Sequence, residues 1–580
     1  MKKERKPWAH LDPYRGERIK GEWPTFPELL TIQAERFAER PCFTDFEGPG
    51  ESKNTLTYGE VFAKIRQLSD WMISKGIRKG DKIAVTGKNS PQWAIVYLAT
   101  FFASGIVIPI DNGLHENEAG NLIKTAEPKL IFTDDEKKSY FRNTFGSIPV
   151  YSLQPKEAET YVFNLKAEGE VQPNEPLTED DTAAILFTSG TTGIPKGVML
   201  SHRNLISDCF IAQTNLDIFC TDVFYALLPI HHGYTMQAAF ICPLSVGAEI
   251  VFGKSMAVTR LMKELREGKI TVMLGVPLLY NKLMAGIIKG IESKGKLVSG
   301  LMNGLGNISY FCKKVLHFNP GKKLFKPVLT QANIYTLRVA ICGGGPLSSD
   351  VFRKYNEMGI DFIQGYGLTE TSPIITLNPI EHFKIESVGR DFSPYEEMKI
   401  IDIEKYSTPG ERPIGEIVVK GPMVMQGYFN MPEETAKMFT EDGFFKTGDL
   451  GWMDSEHYVM LCGRAKNLIV TSGGKNVYPE EIEDAFQMHT NVQQIMVQGY
   501  ETENGEEIEA LIYPADSVFE TLGKKRETDW NSAEVANLIK DDVDAVNKTL
   551  QPYARITRTT ILETPLAQTT TMKVKRNYKK

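Results

Sequence analysis

Ala183-Ala-Ile-Leu-Phe-Thr-Ser-Gly-Thr-Thr-Gly-Ile-Pro-Lys-Gly197 is an apolar run that breaks at Thr188 into glycines, hydroxyls and one lysine. The run predicts a buried strand. The loop behind it offers amides and hydroxyls that can wrap phosphate oxygens, and Lys196 adds a point charge. The Walker loop, G-x-x-x-x-G-K-[ST], does not fit, because Gly190 is followed five positions later by Pro195 and Lys196 is followed by Gly197. A plain Ser/Thr/Gly turn explains the glycines and threonines but not a lysine set between proline and glycine.

The same texture recurs on both sides of this segment. Lys82-Ile-Ala-Val-Thr86, Leu130-Ile-Phe-Thr133, Ile270-Thr-Val-Met-Leu274 and Leu337-Arg-Val-Ala-Ile341 are short apolar runs interleaved with stretches of helical periodicity. Strand alternating with helix predicts an α/β fold of covered, mostly parallel sheets. Near Gly415 the texture changes. Gly415-Glu-Ile-Val-Val-Lys-Gly421, Gly427-Tyr-Phe-Asn430 and Tyr458-Val-Met-Leu-Cys462 predict a smaller antiparallel, barrel-like part. From Gly463 onward, Asn467-Leu-Ile-Val-Thr471, Pro479 to Phe486, Glu509 to Tyr513 and a helix around Ala533 to Leu550 predict a separate α+β unit. The expected division is therefore 1–462 and 463–580. Asn89 to Ile110 carries no charge and is long enough to cross a bilayer. Its helix-cap start at Asn89-Ser-Pro91, its break at Gly105 and its β-branched end predict a buried helix followed by a buried strand instead.

Composition sets the frame. The chain has 580 residues, 42% hydrophobic and 24% charged, which fits a globular protein of more than one domain. Lys plus Arg number 66 against 73 Asp plus Glu, so no global positive field invites nucleic acid. The seven cysteines are scattered without a C-x-x-C pair, which argues against a disulfide framework or a zinc ribbon and for a reducing compartment. No apolar signal segment follows Met1-Lys-Lys-Glu-Arg-Lys6, so a cytoplasmic location is expected.

The loop Thr188-Ser-Gly-Thr-Thr-Gly-Ile-Pro-Lys-Gly197 resembles the signature of the adenylate-forming (AMP-binding) acyl-CoA synthetases. The resemblance extends through Leu228-Pro-Ile-His-His232, Gly365-Tyr-Gly-Leu-Thr-Glu370, Lys446-Thr-Gly-Asp449, Gly463-Arg-Ala-Lys466 and Gly474-Lys-Asn-Val-Tyr-Pro-Glu-Glu-Ile-Glu483, in the family's order. An extra stretch of about 45 residues between Tyr280 and Gly343 brings it closest to long-chain fatty acid-CoA ligases. The resemblance implies that a fatty acid and ATP give acyl-AMP and pyrophosphate, after which coenzyme A displaces AMP. ATP, Mg²⁺ and coenzyme A are the implied ligands. Joining two anions requires positive charge and amide donors at the phosphates.

Carried over residue by residue, the resemblance assigns the phosphate loop to Thr188, Ser189, Gly190, Thr191, Thr192, Gly193 and Lys196. Gly343, Gly344, Gly345 and Pro346 would pass close to the adenine, and Tyr366 with Gly367 would pack on it. Thr369 would donate to the α-phosphate. Glu370, with Thr188, would hold Mg²⁺, and Asp449 would accept from the ribose hydroxyls. His232 would line the acyl pocket near the carboxylate, with His231 beside it as the alternative. Lys573, in Thr569-Thr-Thr-Met-Lys-Val-Lys-Arg576, would neutralise carboxylate and α-phosphate together, with Lys575 as the alternative. Met572 stands where the family has glycine. Arg464 and Lys466 mark the hinge, and Gly473 and Gly474 would admit the pantetheine arm after the C-terminal domain turns.

Residues 285–330 hold eight lysines against one acid, Glu292, with Leu297, Leu301, Phe311 and Phe318 interleaved. This segment predicts a peripheral contact with an anionic membrane. Rival readings are an acyl-acyl carrier protein ligase, a lipid-binding relative without catalysis, and a luciferase-like oxidation that shares the motifs.

Overall fold

The computed structural model describes residues 6–188, 195–345, 347–407, 412–503, 505–568, 574 and 576. Two mixed sheets dominate it. In the eight-stranded sheet, Glu249–Phe252, Val223–Ala226, Val272–Gly275, Val339–Cys342 and Asp361–Gly367 lie parallel in that spatial order. Antiparallel pairs occur only at its edges, between Pro41–Gly48 and Ser52–Thr57 and between Asp361–Gly367 and Ile374–Leu377. In the seven-stranded sheet, Val150–Ser152, Leu130–Thr133, Lys82–Thr86, Ile106–Ile110 and Thr182–Thr188 are parallel. Lys196–Ser201 and then Gly427–Tyr428 close that edge antiparallel. Strand Thr182–Thr188 is therefore followed by an antiparallel strand, with Thr188 paired to Lys196. A Walker loop instead leads into a helix.

The uncharged stretch from Asn89 folds as helix Pro91–Phe102 followed by strand Ile106–Ile110. The Ser90 side chain caps the helix by accepting from the Trp93 amide at 3.2 Å, and proline occupies the first turn. Ten of its twelve residues are buried, because it touches Pro41–Gly48 of one sheet and Lys82–Thr86 of the other. Burial on two sides is why its sequence has no polar face. Trp93, Tyr97 and Phe101 pack in series, with neighbouring ring centroids 5.3 and 5.1 Å apart. Truncating any of them to alanine would cost about 3–5 kcal/mol. Among the described residues no helix is long and apolar enough to cross a membrane.

The expected barrel-like part is an open sheet of four antiparallel strands, Glu397–Ile401, Gly415–Lys420, Phe445–Met453 and Val459–Arg464. The antiparallel texture was legible, but among the described residues nothing pairs its two outer strands into closure. Asp449 faces Arg464 across the last pair. The chain then makes the short turn Ala465–Asn467 and is extended over Ile469–Val470. Beyond it, Val492–Thr502 pairs antiparallel with Gly505–Pro514, which pairs parallel with Arg558–Ile561. Helices Pro479–Ala485 and Ala533–Asn547 cover this sheet through Ile482, Ile539 and Val543, which share one core with Val497 and Ile512.

Candidate active site

Strands Val339–Cys342 and Asp361–Gly367 run in register, with Cys342 opposite Gln364. The two glycine-rich segments that follow them, Gly343 to Gly345 and Gly365 to Gly367, therefore emerge side by side at the carboxyl ends of a parallel sheet, the usual ligand position in such folds. A cleft of about 2340 Å³ opens there, bounded by both large sheets, the four-stranded sheet and the C-terminal residues.

Glycine is forced at two of these positions. A Cβ on Gly343 would lie 2.9 Å from the Tyr234 ring, and one on Gly367 would lie 1.5 Å from the Pro373 carbonyl oxygen. The backbone itself thus forms this wall of the cleft. Gly344 turns through a φ of +82°. Gly345 and Thr369 also line the cleft, and Thr369 Oγ1 would meet a Cβ on Gly233 at 3.7 Å, next to His232.

Asp449 is the best-fixed acid of the site. Tyr366 donates its hydroxyl to Asp449 Oδ2 at 2.7 Å, and Arg464 Nε lies 2.7 Å from Oδ1. The amide of Asp449 donates to Thr447 Oγ1 at 3.1 Å, and Thr447 donates in turn to the Ile417 carbonyl. Asp449 holds the Arg464 guanidinium above its ordinary pKa, while burial, reinforced by Asp449, pushes the Tyr366 phenol up. Both groups keep one protonation state at neutral pH. Lys466, beside them, is lowered by burial and by the neighbouring charges of Arg464 and Arg576.

A second chain of contacts was not foreseen. Lys196 lies 4.8 Å from the Tyr428 ring centroid and 3.0 Å from Glu434 Oε2, and Tyr428 donates to Glu370 Oε1 at 2.9 Å. Tyr428 is buried, so its ring fixes the lysine while its hydroxyl fixes the carboxylate. In the sequence, Gly427-Tyr-Phe-Asn430 reads only as a change of texture. The signal that finds Tyr428 is the pairing of Gly427–Tyr428 with Lys196–Ser201, which is a tertiary fact. Glu370 and the Thr188 hydroxyl both line the cleft and are oxygen donors of the kind a Mg²⁺ ion takes alongside phosphate oxygens.

His231 and His232 both line the cleft. His231 Nε2 lies 3.5 Å from Asp111 Oδ1, and burial lowers its pKa, so it is neutral at pH 7. The chain after His232 carries Ala238 and Cys242 to the cleft, where Ala212, Leu216 and Leu377 join them in an apolar arm.

Ser189, Gly190, Thr191, Thr192, Gly193, Pro346 and Lys573, with its neighbours Met572 and Lys575, lie outside the described residues. The flanks of Lys573 do reach the cleft: Gln568 and Val574 form an antiparallel bridge and, with Arg576, line it. Arg576 is anchored to Glu483 Oε2 at 2.7 Å and to the Val497 carbonyl at 2.8 Å. Gly473 and Gly474 are not brought to the cleft; they sit in an exposed turn with no neighbour within 4 Å of a Cβ at either position.

Comparison with known proteins places the chain in a family. The family model "AMP-binding enzyme" matches residues 30–429, and "AMP-binding enzyme C-terminal domain" matches 466–579. A long-chain-fatty-acid–CoA ligase of Bacillus subtilis is 28% identical over 550 residues, covering 87% of this chain and 89% of the relative. A feruloyl-CoA synthase of an Amycolatopsis species is 28% identical over 470 residues, covering 80% and 84%. A chloroplastic long-chain-fatty-acid–[acyl-carrier-protein] ligase of Arabidopsis thaliana is 27% identical over 555 residues, covering 82% and 75%. The crystal structure of ATP-bound MatB from Rhodopseudomonas palustris superposes with a TM-score of 0.72 at 26% identity, covering 95% of this chain and 97% of that one. With nearly nine-tenths of its length matched by these two models, the chain belongs to the AMP-binding enzyme family.

Proposed function

We propose that this protein is an ATP-dependent ligase that joins a long-chain fatty acid to coenzyme A. A carboxylate oxygen attacks the α-phosphorus of ATP, pyrophosphate leaves, and the resulting acyl-adenylate is cleaved by the coenzyme A thiol with departure of AMP. The observation that carries this reading is the convergence in one cleft of an oriented acid, Asp449 between Tyr366 and Arg464, with Lys196 and Glu370 tied through Tyr428. An apolar arm opens beside His232. The first set suits a nucleotide and the second an acyl chain.

In this reading Asp449 accepts from the ribose hydroxyls and Tyr366 packs on the adenine along the Gly343 to Gly345 backbone. Lys196 and residues 188–193 bind phosphates, and Thr369 donates to the α-phosphate. Glu370 and Thr188 would hold a Mg²⁺ ion, which would neutralise charge at the phosphates. Lys573, whose chain neighbours Gln568, Val574 and Arg576 line the cleft, neutralises carboxylate and α-phosphate during adenylation. Residues 463–580 form a domain that turns about a hinge near Lys466 and brings Gly473 and Gly474 to the thiol. The segment 285–330 is the contact with an anionic membrane.

The fatty acid class rests on the Bacillus subtilis relative and on small side chains, Ala212, Ala238 and Cys242, along the arm. The Arabidopsis thaliana relative favours a second acceptor, the phosphopantetheine of an acyl carrier protein. Exchange of labelled pyrophosphate into ATP is expected with long-chain fatty acids and not with hydroxycinnamic acids, and coenzyme A should consume the adenylate faster than carrier protein does. No fatty-acid-dependent exchange would sink the reading.

A further inference from the structure

Helix Lys296–Leu316 is held to the body by one face only. Gly306 approaches Glu357 so closely that a Cβ would lie 2.8 Å from its Oε2, Ser309 is buried, and Lys313 pairs with Asp361 Oδ1 at 2.7 Å and donates to Asn356 Oδ1 at 2.6 Å. At about 100° per residue, Leu297, Leu301, Ile308, Phe311 and Val315 fall on the opposite face. All five are exposed, Leu297 by 92% and Leu301 by 62%, and Phe318 extends the line past the helix end. Of the thirteen large hydrophobic residues exposed among those described, seven lie between 297 and 318. So concentrated an apolar stripe is an interaction surface rather than ordinary surface scatter.

The charges around the stripe select its partner. Lys289, Lys294 and Lys296 are exposed at one end and Lys314, Lys323 and Lys326 at the other, while Glu292 is the one acid of the whole segment 285–330. A second copy laid along the stripe would set lysine against lysine. The positions beside the stripe are Gly300, Asn303 and Asn307, with none of the acids a coiled-coil pairing would need. An anionic lipid surface satisfies both features, since apolar side chains enter the acyl boundary and lysines reach the headgroups.

We propose that this stripe docks the protein on an anionic bilayer with the C-terminal end of helix Pro277–Glu292 at the membrane surface. That helix packs against Lys296–Leu316 and lines the cleft with Asn281, Ala285, Ile288 and Glu292, so the docked face adjoins a mouth of the cleft. A fatty acid dissolved in the bilayer then has a short path to the site. The port role rests on the fatty acid reading; the docking does not.

The test is sedimentation of the full chain with vesicles of phosphatidylcholine alone or mixed equally with phosphatidylglycerol. Binding is expected to the mixed vesicles and to weaken with salt. The double variant Leu301→Glu, Phe311→Glu, altered only at exposed side chains, should lower partitioning about tenfold or more. Lys294→Glu with Lys323→Glu and Lys326→Glu should lower it about tenfold for the anionic vesicles alone. Pyrophosphate exchange with fatty acid supplied in solution should be unchanged in both. Failure of the unaltered protein to sediment, wild-type binding by both variants, or a solution dimer that Leu301→Glu, Phe311→Glu converts to monomer would each overturn the docking. Vesicle binding without fatty-acid-dependent exchange would uphold the docking and refute the ligase.

Discussion

Tyr428 shows what a single side chain can do when it bridges two functional groups. Its ring lies beneath the Lys196 ammonium while its hydroxyl donates to Glu370, a residue 58 positions away. These roles are separable. Tyr428→Phe keeps the ring and removes the donor, so it should lower kcat/KM for adenylate formation about tenfold and raise the Mg²⁺ requirement, whereas Tyr428→Leu should also weaken ATP binding. Pyrophosphate exchange measured against Mg²⁺ and ATP checks both, and equal behaviour of the two variants would contradict the division. Tyr428 was illegible because no motif contains it. Asp449, by contrast, was legible because its neighbours Thr447 and Gly448 travel with it in the chain. The sequence did not reveal that Tyr366 and Arg464 would grip its two oxygens, since that depends on the pairing of Asp449 with Arg464.

Strands and helices were read well where one physical pattern dominated. The buried run over Ala183 to Phe187 is strand Thr182–Thr188, and the uncharged stretch from Asn89 is a helix and a strand. Short-range pattern failed at the open edge of the four-stranded sheet, because closure is decided by partners rather than by propensity. The C-terminal sheet carries its own test. Glu509 is 1% exposed, and burial alone would raise its pKa. It is instead drawn down to about 2, because Arg558 holds both of its oxygens at 2.8 Å and Thr560 and Gln498 donate to it as well. A depressed folded-state pKa stabilises the sheet above the unfolded carboxyl value, near 4.5. That stability is lost as pH falls from there toward 2. Glu509→Gln should cost about 2 kcal/mol at pH 7 and flatten the acid limb of the melting curve of residues 463–580, read by calorimetry between pH 2 and 7.

At the scale of the molecule, the proposed chemistry needs one unit to serve two half-reactions. The C-terminal residues reach the cleft through Gln568, Val574 and Arg576, while Gly473 and Gly474 are exposed and do not line it. Turning near Lys466 would exchange these faces. Lys573→Ala should therefore abolish adenylate formation and spare thioester formation from supplied acyl-adenylate; equal loss of both would refute that exchange. By itself the amino-acid sequence determined the alternation of strand and helix, the place of the glycine- and hydroxyl-rich loop after Phe187, and the identity of acids and glycines that line the cleft, because these are written in runs of fewer than a dozen neighbours. The tertiary structure alone decided that Tyr428 joins Lys196 to Glu370, that the small antiparallel sheet stays open among the described residues, and that one apolar face of Lys296–Leu316 is left exposed. Each of these depends on which distant segments meet, and the free energy that settles such meetings comes from burial and pairing across the fold rather than from local pattern.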